Sequence, residues 1–187
     1  MLNNRLNNRL NKMKYFYDTE FVEDGKTIDL ISIGIVAEDG REYYAISTQF
    51  NAKKADDWVV ENVIKKLPIR YPGQYDSPNI KGQSLAWRNR NRIREDILNF
   101  CDKDKYGKPE FWAYYADYDH VVLCQLFGKM IDLPKGWPMY TRDVKQFCDS
   151  LGNPKLPEQD TSSEHNALFD ARWTKEAYEF LINYGTP

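Results

Sequence analysis

Cysteine is scarce in this chain of 187 residues, and the three present, Cys101, Cys124 and Cys148, are odd in number with no C-x-x-C spacing. That excludes a disulfide scaffold and a cysteine-rich zinc module. Each sits beside an apolar residue, Phe100, Leu123 or Phe147, so they read as reduced core thiols of a cytoplasmic protein. Long apolar runs are missing as well: the best stretches are a few residues, such as Val121 to Cys124, where a membrane span needs about 20. Charge of one sign is absent too. Lys and Arg number 26 against 28 Asp and Glu, for a net charge of -2 and a pI of 5.8, which excludes a broad basic surface for duplex nucleic acid and leaves only a local basic groove open. Folding buries roughly 70% of the exposed surface of a chain this long, enough for one self-sufficient core.

Residues 1–12 (MLNNRLNNRLNK) repeat Leu-Asn-Asn-Arg and lack the apolar block of a secretory signal. They read as a polar leader, disordered or appended, ahead of a single domain over 13–187. From Tyr15 to Val22 aromatic and β-branched residues flank two acids, which favours a strand. Residues 28–37 (IDLISIGIVA) form a second strand and 41–48 a third, with turns signalled by Asp24-Gly25 and Asp39-Gly40. A short helix around Asp56 to Lys66 and a Pro- and Gly-broken loop to residue 83 follow. A helix is predicted from a Ser84 cap to Cys101, a strand over Phe111 to Tyr115, and helices capped by Asp119 and Thr141 with a short strand between them; the last helix runs from Asn166 to about Asn183. This order predicts an α/β fold: a mixed five-stranded sheet, an antiparallel three-strand meander plus parallel strands, with helices on its faces.

Asp18 and Glu20 are two apart in the first strand, so their side chains share a face with Cα atoms roughly 6.6 Å apart. Their neighbours on that face are Phe16 and Val22. Two acids in an apolar stripe demand a neutralising partner, either basic side chains or metal ions. Near the other end of the chain, His165 precedes Asp170 by five residues. That spacing cannot share one helical face, but the two converge if His165 lies ahead of the helix and Asp170 one turn inside it. The third acidic element is Tyr114-Tyr115-Ala116-Asp117-Tyr118-Asp119-His120, at a strand-to-helix turn where open α/β sheets place their ligands.

Asp18-Thr19-Glu20, Tyr118-Asp119 and His165 with Asp170, in that order, resemble the three motifs of the DEDDh exonuclease superfamily, the group of RNase T, oligoribonuclease and the DnaQ-type proofreading subunit. The flanking residues, Tyr15 to Phe21 with Glu23-Asp24-Gly25, and Asp119 to Leu126, resemble more closely the mycobacterial and phage polyadenylate-specific 3′-exoribonuclease AS group. In one respect the chain departs: the family commonly has Asn five residues before the middle Asp, and here that residue is Tyr114. The resemblance implies an RNase H-like fold, a homodimer, and RNA 3′ ends, A-rich ones included, as substrate. It also implies that Asp18, Glu20, Asp119 and Asp170 hold two Mg²⁺ or Mn²⁺ ions and that His165 is the general base. Hard carboxylate oxygens suit those ions, and four carboxylates balance two dications.

For substrate grip, the most basic stretch holds Lys81, Arg88, Arg90, Arg92 and Arg94. Arg88 and Arg92 fall on the solvent side of a helical wheel, while Arg90 and Arg94 border the apolar face and are the candidates for phosphate contact. Phe21, beside Glu20, is the candidate for stacking on the terminal base; Trp58 and Trp87 rank below it. A DNA 3′-to-5′ exonuclease and a catalytically silent nucleic-acid-binding module are the competing readings.

Overall fold

The computed structural model describes residues 12–70, 86–161 and 164–184. Its strands are β1 (Lys12–Glu23), β2 (Ile28–Ala37), β3 (Glu42–Ser47), β4 (Trp87–Arg88), β5 (Lys108–Ala113) and β6 (Arg142–Asp143). Its α-helices are α1 (Asp57–Asn62), α2 (Arg90–Phe100), α3 (Lys103–Tyr106), α4 (Asp117–Gln125), α5 (Val144–Ser150) and α6 (Ala167–Tyr184). The strands form one sheet in the order β4-β3-β2-β1-β5-β6. The β1–β2 and β2–β3 pairs are antiparallel, and β4, β5 and β6 each run parallel to their neighbours. This is the mixed α/β, RNase H-like architecture expected from the sequence, with six strands in place of five.

Central position explains the composition of the inner strands. β1 lies between β2 and β5 with helices over both its faces, and Tyr15, Phe16 and Tyr17 are buried in succession. Tyr15 and Tyr17 join Ile33, Ile35 and Phe111 under α2 and α4, which contribute Ile93, Ile97, Val122 and Leu123. On the opposite face Phe16 and Trp112 meet Val144 and Cys148 of α5 and Ala177 and Leu181 of α6. Burying a Leu such as Leu181 stabilises by about 1.5–3 kcal/mol.

Helix α6 comes unusually close to the sheet because its buried residues include Ala167, Ala171, Thr174 and Ala177. Gly34 of β2 completes the fit: a Cβ there would stand 2.2 Å from the Ala167 carbonyl oxygen, so no larger residue is accommodated. Gly34 is the register partner of Asp18. The start of α6 is thereby set at the level of the first acid.

Several local expectations are corrected. The helix predicted from Ser84 begins six residues later, at Arg90, because Asn89 is the cap and accepts from the Arg92 N–H; Trp87 and Arg88 pair with β3 instead. Asp119 is not a cap but the third residue of α4. Thr141 does not cap α5 either; Asp143 does, accepting from the Gln146 N–H at 3.0 Å, while its other oxygen takes the Ala116 N–H at the start of α4. The helix expected over Asp56 to Lys66 is split into α1 and a 3₁₀ turn, Ile64–Lys66. Lys12 already belongs to β1, paired with Lys108, and the rest of the leader lies outside the described residues, as do Lys81 and Ser84. The three cysteines are unpaired and buried. Among the described residues, no helix is long and apolar enough to cross a membrane.

Candidate active site

Strand alternation points Asp18 and Glu20 of β1 to the face covered by α6. The first turn of α6 supplies Asp170. Carboxylate oxygens of these three residues lie within 4.8 Å of one another. They line a cavity of about 290 Å³ together with His165, Phe21, Glu23 and Trp58. His165 stands ahead of the helix with φ +64°, a left-handed conformation rare outside glycine. Its ring meets the Trp58 ring edge-on at 4.7 Å, and its backbone N–H bonds to the Asp170 carboxylate.

Asp119 lies outside that trio of acids. It is 5% exposed, and its Oδ1 accepts from both the Thr19 N–H at 2.8 Å and the Thr19 hydroxyl at 2.6 Å. Asp117, two residues earlier, is exposed at the start of α4. The second histidine, His120, faces away, with Nε2 3.1 Å from the Met139 carbonyl oxygen. Phe21 reaches the cavity while packing edge-on against Tyr118 at 5.8 Å.

The basic candidates are placed elsewhere. Arg90 pairs with Asp29 at the start of β2, and Arg94 buries an Nε that has no hydrogen-bond partner. Neither lines the cavity. Arg88 belongs to β4, and it and Arg92 both reach Asp96, at 3.9 and 2.9 Å.

Comparison with known proteins gives the family. The model of the 3′-5′ exoribonuclease Rv2179c-like domain matches residues 13–182. The 3′-5′ exoribonuclease Rv2179c of Mycobacterium tuberculosis strain H37Rv is 47% identical over 160 residues, spanning 86% of this chain and 88% of the relative. The 3′-5′ exoribonuclease MT2234.1 of strain CDC 1551 matches to the same extent. The chain belongs to the Rv2179c-like family.

The donor set of this site fits a divalent cation, because burial and mutual repulsion disfavour the carboxylate charges that a cation would neutralise. Burial, reinforced by Asp119, Glu20 and Asp170, holds the Asp18 carboxyl well above the usual carboxylate range. Glu20 is pushed up to about 8 by burial and by the charges of Asp170 and Asp119. Asp119 rises to about 6 through burial, which the two Thr19 hydrogen bonds oppose. Burial also raises Asp170, against a hydrogen bond from the Gln159 amide and the nearby His165. Removing this mutual repulsion is what a bound dication does, and all-oxygen coordination suits Mg²⁺ or Mn²⁺.

Sequence reasoning missed Gln159 and undervalued Trp58. Gln159 sits in a loop and donates across eleven residues to Asp170. Trp58 is half-exposed on a six-residue helix and reaches His165 only through the tertiary fold. Neither carries a local pattern. Glu23, which lines the cavity, lies in the stretch that carries the family resemblance, yet nothing in its spacing assigns it a role. At Tyr114 the departure from the family pattern is filled by packing, its ring meeting Trp173 edge-on at 4.9 Å.

Proposed function

We propose that this chain is a metal-dependent 3′-to-5′ exoribonuclease that releases nucleoside 5′-monophosphates from RNA 3′ ends. The observation that carries the reading is the meeting of Asp18, Glu20 and Asp170 within 4.8 Å, in one cavity with His165. RNA as the substrate class is supported by the names of the relatives. The A-rich preference and the homodimer rest on the family resemblance, and a cytoplasmic setting on the three unpaired buried thiols.

In this reading Asp18, Glu20 and Asp170, with Asp119 beside them, would hold two Mg²⁺ or Mn²⁺ ions. When bound, such a pair supplies electrostatic stabilisation of the attacking and leaving oxygens. His165 takes the proton of the attacking water, a task suited to imidazole near neutral pH. The water oxygen bonds to the terminal phosphorus, the bond to the preceding 3′-oxygen breaks, and that oxygen is protonated from solvent. The His165 backbone N–H on Asp170 ties the base to one of the acids. Phe21 and Trp58, the aromatic residues lining the cavity, offer surfaces for the terminal base.

The test is hydrolysis of labelled RNA and DNA of one sequence, with Mg²⁺ and with EDTA. Stepwise loss of 3′ nucleotides from RNA in Mg²⁺ alone is expected. Preferential loss from DNA would replace the reading with a DNA exonuclease, and binding without cleavage would replace it with a silent module.

A further inference from the structure

Thr19 stands between Asp18 and Glu20, and because strand side chains alternate, it points to the opposite face, toward α4. There its surroundings are decided by where β5 stops. Pairing of β1 with β5 ends at Phe16 and Trp112; β5 runs one residue further, to Ala113, paired only with β6, and the chain then turns into α4. The Thr19 N–H therefore has no strand partner on that side, and a buried N–H must find one. It finds the Asp119 carboxylate at 2.8 Å, which continues the ladder where β5 has turned away. The hydroxyl of the same residue adds a second donor at 2.6 Å, to the same oxygen, Oδ1.

Both groups are buried, with Thr19 and Asp119 each 5% exposed, so neither donor is readily replaced by water. Two donors on one oxygen fix the carboxylate plane and leave Oδ2 uncommitted to Thr19. We propose that Thr19 is a positioning residue: its N–H and hydroxyl clamp Oδ1 of Asp119 so that Oδ2 is presented to the cation held by Asp18, Glu20 and Asp170. This inference rests on the metal-site reading above. It gives the middle residue of Asp-Thr-Glu a defined task, which only a side chain with a short hydroxyl can perform.

The experiment measures Mn²⁺ binding to the full chain by titration calorimetry, without substrate, in wild type, Thr19→Val, Thr19→Ser, Asp119→Asn, the double variant Thr19→Val/Asp119→Asn and Asp18→Asn. Loss of a group that orients a metal ligand typically costs 10–100-fold in affinity. Thr19→Val, which keeps the shape and loses the hydroxyl, is expected to weaken Mn²⁺ binding about tenfold with unchanged far-ultraviolet circular dichroism, and Thr19→Ser to bind as wild type does. In the Asp119→Asn background, Thr19→Val is expected to add no further loss, since its effect passes through Asp119.

Wild-type affinity in Thr19→Val, equal losses in the Val and Ser variants, or additive losses in the double variant would overturn the inference. An unfolded Thr19→Val would assign the pair to the core and overturn it equally. Asp18→Asn separates the two levels: if it retains full Mn²⁺ affinity the metal-site reading itself fails, whereas if it loses binding while Thr19→Val does not, only the role of Thr19 fails.

Discussion

Asp119 and Asp117 are carboxylates two positions apart on one helix, and their surroundings give them opposite expected roles. Asp119 is buried and held by Thr19, while Asp117 is exposed at the first position of α4, where acids are favoured by the helix dipole. Asp119→Asn is expected to lose nearly all Mg²⁺-dependent hydrolysis of RNA and Asp117→Asn to keep most of it, as initial rates will show; equal rates would dissolve the distinction. The two histidines divide in the same way. His165 lines the cavity, and His165→Ala should slow turnover by about 10²–10⁴. His120 is occupied with the Met139 carbonyl, so His120→Ala should leave single-turnover rates nearly unchanged, and the reverse ranking would reassign the base.

At the scale of elements, helix α2 and helix α6 fail differently when their local rules are broken. Asn89 caps α2, on the far side of the sheet from Asp18, so Asn89→Ala should cost about 1 kcal/mol in urea unfolding without altering the metal-dependent rate. Gly34 touches the backbone of α6. Gly34→Ala should cost about 1–3 kcal/mol through overpacking and should also lower activity, because the strain falls on the element that carries Asp170. Wild-type stability and rate in Gly34→Ala would show that α6 is free to shift. Legibility in the sequence follows the same physics. The meander is readable because its aromatic and β-branched runs are bounded by Asp-Gly turns, α6 because its 3.6 period is long, and Asp18 and Glu20 stand out because acids interrupt an apolar run. The strand β4 is illegible, two residues long and defined only by a partner distant in the chain, whereas β6, equally short, is expected only as a short strand between two helices. The cap positions fail for a related reason: Ser84, Asp119 and Thr141 have the right chemistry, but Asn89 and Asp143 have the right place.

For the molecule as a whole, the acid cluster sets the dependence of stability on pH. A carboxyl whose folded pKa is raised contributes full stability below its unfolded pKa and loses it as pH rises through the folded one. For Glu20 the window runs from about 4.3 to about 8, and Asp18 and Asp170 act in the same direction. In EDTA the melting temperature is therefore expected to fall between pH 5 and pH 8, and saturating Mn²⁺ to raise it more at pH 8 than at pH 5. Asp18→Asn should melt higher than wild type at pH 8 without metal. A metal-free melting temperature that is flat or rising over this range would contradict the buried-acid cluster.

The seating of α6 against Gly34 has a consequence for time as well as for shape. Asp18 and Glu20 lie on β1, whereas His165 and Asp170 belong to α6 and the turn before it, which must come back to β2 to find their place. Contacts so distant in the chain form late. A folding intermediate in which α6 has not yet seated thus carries Asp18 and Glu20 without Asp170 and without His165, so the cluster of three acids is complete only once the longest-range contact of the fold has formed.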